Sequence, residues 1–205
     1  MKRTIADDSL DESRVSSDPF KQFSRWLREA AGRRPLLPET MTLATATRSG
    51  LPSARTLLLR TFDNSGFVFY TNYSGRKSKE LAENPQAALV FYWPRLGRQV
   101  RIEGSVVKVS TSESDNYFSS RPRDSQLSAW ASQQSRVVRN RRFLEKRVRR
   151  FGEKYTGRIP RPPDWGGYRL RPNLFEFWKE RSGRLHDRLR YRRSKGRWML
   201  ERLAP

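Results

Sequence analysis

The stretch from Met41 to Val109 most constrains the fold, because β-prone runs there alternate with short turn signals. The runs are Met41–Thr47, Ser53–Phe62, Phe67–Tyr73, Ala87–Trp93 and Gln99–Val109. Gly50 and Gly66 end turns between consecutive runs, as in a meander of antiparallel strands. A short helix, with Ser74 as its cap and Pro85 as its end, interrupts the series. The sequence therefore predicts a sheet of at least five strands.

Helical patterns flank this sheet. Asp18 and Pro19 fit the cap and first position of an amphipathic helix that ends at Gly32, and Ser110–Glu113 has the spacing of a capping box that opens a helix to about Ser119. The remaining predicted elements are helices at Gln126–Ala131 and Arg136–Tyr155, strands at Tyr168–Leu170, Leu174–Trp178, Leu189–Arg193 and Trp198–Leu203, and an irregular segment at Ile159–Gly167. We expect an α+β fold, an antiparallel β-barrel with surrounding helices. It forms a single domain over residues 18–205, after a flexible segment over residues 1–17.

The charge balance favours anionic partners. The 205 residues include 43 Lys and Arg against 21 Asp and Glu, a net charge of +22. From Arg136 onward there are 23 basic and 7 acidic residues, so 16 of the 22 net charges fall in the last third. Because aromatic and aliphatic residues are interleaved with them, these charges indicate a folded surface that serves anions. A basic nucleic-acid-binding module would also explain the charge and the aromatic residues.

Composition excludes several kinds of site. The chain has no cysteine and one histidine, so disulfides, a cysteine nucleophile and a His/Cys metal centre are not expected. No apolar run approaches the roughly 20 residues that cross a bilayer. The first eight residues also lack the apolar stretch of a secretory signal. We expect a soluble, cytoplasmic protein.

The first turn of the helix after Tyr70-Thr71-Asn72 carries two cations, Arg76 and Lys77. Positive charges there oppose the helix dipole. A bound phosphate would resolve the conflict, since the helix N–H groups and both side chains would address one anion. A solvated pair of cations is the alternative.

Two other patterns suit phosphate. Arg55 and Arg60 lie five residues apart on a strand, so they face opposite sides and need not share a ligand atom; an alternating strand with solvated ends is the alternative. Tyr117, Arg121 and Ser125 recur at a spacing of four and offer two hydroxyls and a guanidinium to a phosphate monoester. A polar helix face followed by a turn explains these three equally well.

The single histidine, His186, lies in a cluster of cations. Alternation would set Arg184, His186 and Arg188 on one face, opposite Leu185 and Leu189. Three potential cations on one face call for an anionic or π-rich partner, although a lone histidine is more often structural.

Ordered motifs across nearly the whole chain resemble the pyridoxamine 5'-phosphate oxidase family. The motifs are Arg55–Arg60, Gly66–Asn72, Arg76-Lys77, Phe118–Pro122, Trp130–Ser135, Pro162–Tyr168 and Arg184–Arg188. The resemblance implies a split β-barrel that binds FMN at the interface of a homodimer, with both subunits contributing to each of two sites.

The resemblance also implies roles for individual residues. It assigns FMN binding to Arg55, Thr56, Leu57, Leu58, Leu59, Arg60, Tyr70, Thr71, Arg76, Lys77, Gln99, Gln134, Ser135, Trp178 and Arg188. It assigns the substrate to Arg60, Tyr117, Arg121, Ser125, Arg184, Leu185 and His186, of which Arg184 and His186 are the catalytic pair. Two features depart from the family pattern: Arg60 stands where the family has Lys, and the N-terminal segment Asp11–Arg14 matches poorly.

The implied activity is oxidation of pyridoxamine 5'-phosphate or pyridoxine 5'-phosphate by molecular oxygen, with FMN as the cofactor. Gln99 and Arg188 are expected beside the N1 and C2 edge of the flavin, and Arg184 and His186 over the substrate ring. The expected partners are the vitamer, O2 and a second copy of the chain, without a membrane or a specific nucleic acid. A phenazine-pathway FMN oxidase of the same fold, acting on a tricyclic carboxylated substrate, is the alternative enzyme.

Overall fold

The fold is a nine-stranded antiparallel sheet with five helices, seen in a computed structural model that describes residues 9–32 and 37–205. The strands are β1 (Thr40–Ala46), β2 (Pro52–Leu58), β3 (Thr61–Asp63), β4 (Gly66–Asn72), β5 (Gln86–Trp93), β6 (Arg98–Lys108), β7 (Trp165–Lys179), β8 (Asp187–Ser194) and β9 (Arg197–Arg202). The helices are α1 (Pro19–Gly32), α2 (Arg76–Glu83), α3 (Thr111–Ser120), α4 (Arg123–Ala131) and α5 (Arg141–Lys154), with 3₁₀ turns at Pro94–Leu96 and Ser182–Arg184. Strands pair in the order β2-β1-β5-β6-β7-β4-β3, and β8 joins β7 to β9. The predicted α+β architecture is confirmed.

Strand β7 spans 15 residues, and its two halves pair with different neighbouring strands. Its first half pairs with β4, its second half pairs with β8, and β6 runs beside both halves. The sequence predicted two short strands, Tyr168–Leu170 and Leu174–Trp178, after an irregular segment at Ile159–Gly167. That prediction is wrong: the register shifts between Glu103 and Gly104, opposite Pro172, and the strand continues through this irregularity.

The predicted strand Ser53–Phe62 is also wrong, because the chain leaves the ladder after Leu58. The N–H of Leu59 bonds the carbonyl of Glu39, and the N–H of Arg60 bonds that of Val68. The Leu59 side chain thereby enters the main core, and β3 starts at Thr61.

Helix α1 forms where it was predicted, and it covers the core. Asp18 caps it by accepting from the N–H of Phe20 at 2.9 Å. The ring of Phe23 lies 5.1 Å from Phe67 and 4.9 Å from Phe91, and is completely buried. These aromatic contacts fix the helix on the sheet.

Other helix starts differ from their predictions. Gly75, not Ser74, caps α2, because the Ser74 hydroxyl donates to Asp164 at 3.0 Å. The capping-box serine does accept from the N–H of Glu113, at 3.0 Å. Helix α4 begins three residues earlier than predicted, and α5 begins five residues later, where Asn140 caps it.

The described part of the N-terminal segment, residues 9–17, packs against the C-terminal strands. Leu10 is buried, and its N–H donates to Asp187 at 3.3 Å. Arg202 donates to the Leu10 carbonyl at 3.0 Å and to Glu12 at 2.6 Å. Residues 1–8 lie outside the described residues, and the boundary at residue 18 stays a prediction. Across 9–32 and 37–205, no helix combines the length and apolar character needed to cross a membrane.

Candidate active site

A cavity of about 250 Å³ lies between β4, the start of β7, and helices α3 and α4. Its lining comprises Leu57, Arg60, Tyr70, Thr71, Asn72, Tyr117, Arg121, Ser125, Ser128, Ala129, Ser132, Gln134 and Trp165. Tyr117, Arg121 and Ser125 meet there, together with Arg60, as the spacing of four predicted. One cavity therefore presents two guanidinium groups and several hydroxyl groups.

Arg121 is the most constrained cation of this cavity. Its guanidinium carbon lies 4.7 Å from the centre of the Trp165 ring, and its Nη1 atom is buried without a hydrogen-bond partner. Burial lowers the pKa of Arg121, and the nearby Arg60 lowers it further. A buried donor that lacks an acceptor is costly, and an anionic ligand would satisfy it.

Aromatic rings form one wall of the cavity. Tyr70 stacks on Tyr117 with the centroids 3.9 Å apart, and on Trp165 at 5.6 Å. Burial raises the pKa of Tyr70 to about 12, so its hydroxyl stays protonated. A Cβ on Gly167 would lie 2.7 Å from the Tyr70 ring, so this stack requires glycine at that position of β7.

Lys77 lies beside the cavity at the start of α2, only 6% exposed. Its Nζ donates to Gln134 Oε1 at 2.6 Å and to Thr71 Oγ1 at 3.1 Å. Burial lowers the pKa of Lys77 to about 8, with a further contribution from Arg55. An anion at this helix end would raise the pKa of Lys77 and so favour the charged amine.

Together with Lys77, the residues Arg55, Arg76 and Ser135 form a cluster at the start of α2, which we call the cationic corner. The N–H of Arg76 donates to Ser135 Oγ at 3.2 Å. Arg55 and Arg76 both bond Glu80, at 3.3 Å and 2.8 Å. Arg55 thus faces α2 while Arg60 faces the cavity, and the two do not converge on one atom, as the alternation predicted. Of the other residues assigned in this segment, Leu57 lines the cavity, Thr56 is exposed, Leu58 is partly exposed and Leu59 is buried.

A second group of predicted site residues forms a row across three strands. Gln99 on β6 is opposite Trp178 on β7, which is opposite Arg188 on β8. Arg188 donates to the buried Glu176 at 2.9 Å. The His186 ring lies 4.7 Å from that of Trp178, and its Nδ1 accepts from the N–H of Arg181 at 3.1 Å.

The predicted alternation over residues 184–188 is wrong. Ser182–Arg184 forms a 3₁₀ turn, β8 begins at Asp187, and Leu185 is 74% exposed. Arg184 adopts a φ of +62°, and Ser135 one of +68°. Only one other non-glycine residue in the described ranges, Lys195, has positive φ. Such conformations cost energy and tend to occur at functional sites.

The two groups lie at opposite ends of β7. Trp165 is in the cavity wall, whereas Trp178 is 13 positions further along the same strand. At a rise of 3.3 Å per residue, this corresponds to about 40 Å of strand. Gln99, Trp178, Arg184, His186 and Arg188 are absent from the cavity lining. One subunit therefore does not gather both groups around one small ligand.

Sequence reasoning missed several residues of this site. The cavity is also lined by Asn72, Ser128, Ala129, Ser132 and Trp165. Outside the cavity, Glu80 bonds Arg55 and Arg76, and Glu176 bonds Arg188. Ser128 and Ser132 lie three and seven residues after Ser125, at positions that share one face of a helix, and this spacing could have revealed them. The i,i+4 pair of Arg76 and Glu80 was likewise visible in the sequence.

Family comparisons cover both ends of the chain. Residues 27–155 match the profile described as pyridoxamine 5'-phosphate oxidase. Residues 165–205 match the profile described as pyridoxine 5'-phosphate oxidase C-terminal dimerisation region. The second match includes β7, β8 and β9, and therefore the Trp178 and Arg188 positions.

Curated relatives match at full length. The chain is 52% identical over 206 residues to the pyridoxine/pyridoxamine 5'-phosphate oxidase of Cyanothece sp., covering 100% of this chain and 97% of the relative. It is 55% identical over 198 residues to the enzyme of the same name from Paraburkholderia phymatum, covering 96% and 93%.

Solved structures agree. PhzG from Burkholderia lata, in complex with tetrahydrophenazine-1-carboxylic acid, has a TM-score of 0.91 at 34% identity and covers 97% of this chain and 98% of its own. A pyridoxamine 5'-phosphate oxidase-related, FMN binding protein from Nostoc punctiforme has a TM-score of 0.73 at 18% identity, covering 93% and 100%, and supports the fold alone. The predicted split-barrel fold is thus confirmed. With the two profile matches and the full-length relatives, the chain belongs to the pyridoxamine 5'-phosphate oxidase family.

Proposed function

We propose that this chain is an FMN-dependent oxidase that forms pyridoxal 5'-phosphate. Pyridoxine 5'-phosphate and O2 give the aldehyde and H2O2; pyridoxamine 5'-phosphate, O2 and water give the aldehyde, ammonia and H2O2. The observation that carries the proposal is the cavity in which Arg60, Tyr117, Arg121 and Ser125 converge, with Arg121 Nη1 buried and without a partner. The name shared by the full-length relatives supports it.

The residues present fit the phosphate of FMN. Arg55, Arg76 and Lys77 supply three cations at the start of α2, and Ser135 adds a hydroxyl. Burial and the nearby Arg55 lower the pKa of Lys77, and a bound phosphate would raise it again. These residues would bind the cofactor's phosphate, and Gln134 and Thr71 would orient the amine of Lys77.

Bound FMN would supply the redox chemistry, namely two-electron oxidation of the substrate carbon coupled to reduction of O2 to H2O2. Arg121, Tyr117 and Ser125 hold the substrate phosphate, and Arg60 closes the cavity over it. The aromatic wall of Tyr70, Tyr117 and Trp165 excludes water from this end of the site, which strengthens the charge interactions.

His186 orients the substrate as a hydrogen-bond donor. Because Nδ1 accepts from the Arg181 N–H, the proton of the neutral ring lies on Nε2. In that tautomer Nε2 can donate to a substrate oxygen, and it cannot remove a proton. Arg184 supplies the neighbouring positive charge, and Arg188, held by Glu176, stabilises negative charge that develops on the cofactor.

Two copies of the chain build each site. The cavity and the row of Gln99, Trp178 and Arg188 are separated by about 40 Å along β7, so the row is supplied by a second subunit. Exposed apolar side chains near the row, Leu185 and Tyr92, fit such an interface. The match of residues 165–205 to a dimerisation region supports this arrangement.

The test is a spectrum followed by turnover. The purified protein should be yellow, with absorption near about 450 nm from bound flavin. It should consume O2 and release H2O2 with either phosphorylated vitamer. Colourless protein that takes up no FMN when it is supplied in excess would refute the proposal. The cytoplasmic location expected from the sequence stays a prediction.

A phenazine-type oxidase is the second candidate, because PhzG is similar over nearly the whole chain. The convergence of Tyr117, Arg121 and Ser125 favours a phosphorylated substrate over a tricyclic carboxylate. Side-by-side assays with a reduced phenazine carboxylate and pyridoxine 5'-phosphate separate the two activities.

A further inference from the structure

Glu80 is a buried carboxylate that does not line the cavity with Arg121. It lies on the inner face of α2, and 4% of its surface is exposed. An acidic group this close to a phosphate site is unfavourable for an anionic ligand unless it serves another purpose.

Its two oxygens are fully engaged. Oε2 accepts from Thr45 at 2.5 Å, from Ser53 at 2.6 Å and from Arg55 at 3.3 Å. Oε1 accepts from Nε of Arg76 at 2.8 Å. Burial opposes ionisation of this group, but the bonds from Ser53, Thr45 and Arg76 lower the pKa of Glu80 to about 2. The carboxylate is therefore charged at every working pH.

Glu80 joins two arginines that come from separate elements. Arg55 belongs to β2 and Arg76 to α2. The Arg76 side chain is 57% exposed, and only its Nε is bonded by Glu80. Its two Nη groups bond no other residue within 9–32 and 37–205. The carboxylate thus fixes the inner edge of the guanidinium and leaves the outer edge turned toward solvent.

Glu80 also balances the charge of the corner. Arg55, Arg76 and Lys77 are three cations in a small volume, and mutual repulsion would spread flexible side chains apart. Glu80 favours the charged form of Lys77, whereas burial and Arg55 disfavour it. Losing the carboxylate would therefore free Arg76 and weaken the charge on Lys77 together.

We propose that Glu80 is a positioning residue for the flavin phosphate, holding Arg55 and Arg76 in the orientations that receive it. This inference rests on the proposed function, because it requires FMN to bind at the start of α2. Because the Glu80 carboxylate bonds only Thr45, Ser53, Arg55 and Arg76 among the described residues, this role predicts an effect confined to ligands that carry the phosphate.

The experiment compares FMN with riboflavin, which lacks the phosphate. Apo-protein is titrated with each ligand by flavin fluorescence quenching, for wild type, Glu80→Gln and Glu83→Gln. Glu83 is the matched control, an exposed glutamate on the same helix. Glu80→Gln should weaken FMN binding by about tenfold or more, since hydrogen bonds to charged groups are at stake, and riboflavin binding by less than about threefold. Glu83→Gln should leave both affinities within about twofold of wild type.

Each other outcome contradicts the proposal in a distinct way. Wild type that fails to bind FMN refutes the proposed function and the role of Glu80 together. Unchanged or tighter FMN binding by Glu80→Gln, with wild type binding normally, refutes only the role of Glu80. Equal loss of FMN and riboflavin shows a general structural role and also refutes it.

A second variant covers the case in which Glu80→Gln does not fold. Ser53→Ala removes one donor to Glu80 and leaves its charge in place. It should weaken FMN binding about threefold and leave riboflavin binding unchanged, because a single bond is lost. Ser53→Ala protein that is folded by circular dichroism and binds FMN as wild type does would overturn the proposal.

Discussion

The two ends of β7 differ in how completely the chain builds them. At the Trp165 end, β4, the start of β7 and helices α3 and α4 enclose a cavity lined by both Arg60 and Arg121. At the Trp178 end, Gln99, Trp178 and Arg188 lie in a row on the sheet, beside the exposed Leu185. In the proposed dimer, one half-site is preorganised by the fold, and the other needs a second copy to become a site. Residues that act on one ligand can therefore lie far apart in one chain.

The largest expected effect is the loss of activity in two single variants and its recovery when their subunits are mixed. Arg121→Ala removes the cavity guanidinium and Arg184→Ala the cation of the other half-site; each alone should lower kcat/KM about 100-fold or more. After subunit exchange, half of the dimers are mixed and each contains one intact site, so activity should return to about a quarter of wild type. The measurement is turnover before and after exchange. A mixture that stays inactive would mean that both residues act within one subunit.

The pH dependence of FMN affinity probes the preorganised half. The pKa of Lys77 is about 8, below its ordinary 10.5, and phosphate binds the protonated amine. FMN affinity should fall by up to about tenfold per pH unit above 8. The stability of the free protein should change in the opposite sense, since a lowered lysine pKa favours folding as pH rises from about 8 to 10.5.

Lys77→Arg is the control for this pH effect, because arginine stays charged. Fluorescence titrations at several pH values should show a flatter profile for this variant. If FMN affinity falls with pH as steeply in Lys77→Arg as in wild type, a group other than Lys77 causes the pH effect.

Gly75→Ala should give a smaller loss. A Cβ on Gly75 would lie 2.7 Å from Gln134 Oε1, the atom that accepts from Lys77. Displacing Gln134 should weaken FMN about fivefold, in line with the cost of overpacking. Gly157→Ala is the matched control, since its Cβ would meet nothing within 4 Å. Isothermal titration of both variants makes the comparison, and equal affinities would show that the corner tolerates movement of Gln134.

Arg60→Lys should have the smallest effect. The Arg60 guanidinium is 5.8 Å from the Tyr117 ring, and Arg60 is exposed at the cavity mouth. Lysine keeps the charge but loses the planar fork, so KM for the phosphorylated substrate should change about two- to threefold with kcat unchanged. Steady-state kinetics with pyridoxine 5'-phosphate test this. A large change in kcat would move Arg60 into the chemical step.

Local sequence patterns predicted helix starts correctly where a single capping residue determines the backbone conformation. Asp18 caps α1 and Ser110 caps α3, as their positions indicated. Prediction failed where a contact with a distant residue determines the local structure. Leu59 leaves its strand to enter the core, and the Ser74 hydroxyl bonds Asp164 and does not cap the helix. Those partners are far away along the chain, and local propensity carries no information about them.

In the candidate site, too, local patterns were predictive and contacts between distant residues were not. The spacing of Tyr117, Arg121 and Ser125 and the cations at the start of α2 pointed to phosphate, and the structure brings each group together. The 3₁₀ turn at Arg184 was missed, because Gly183 and Arg184 both take positive φ where alternation suggested a strand. Glu80 was missed because its importance comes from Arg55, which is 25 residues away.

The continuous strand β7 would give each subunit of the proposed dimer a part in two active sites. In the proposed dimer, Trp165 of one copy lines one catalytic centre while Trp178 of the same strand lines the other. The register irregularity near Gly104 and Pro172 lies midway between Trp165 and Trp178 along the strand. A substitution there that bent the strand would misalign both active sites at once. Any coupling between the two sites would act through this one strand.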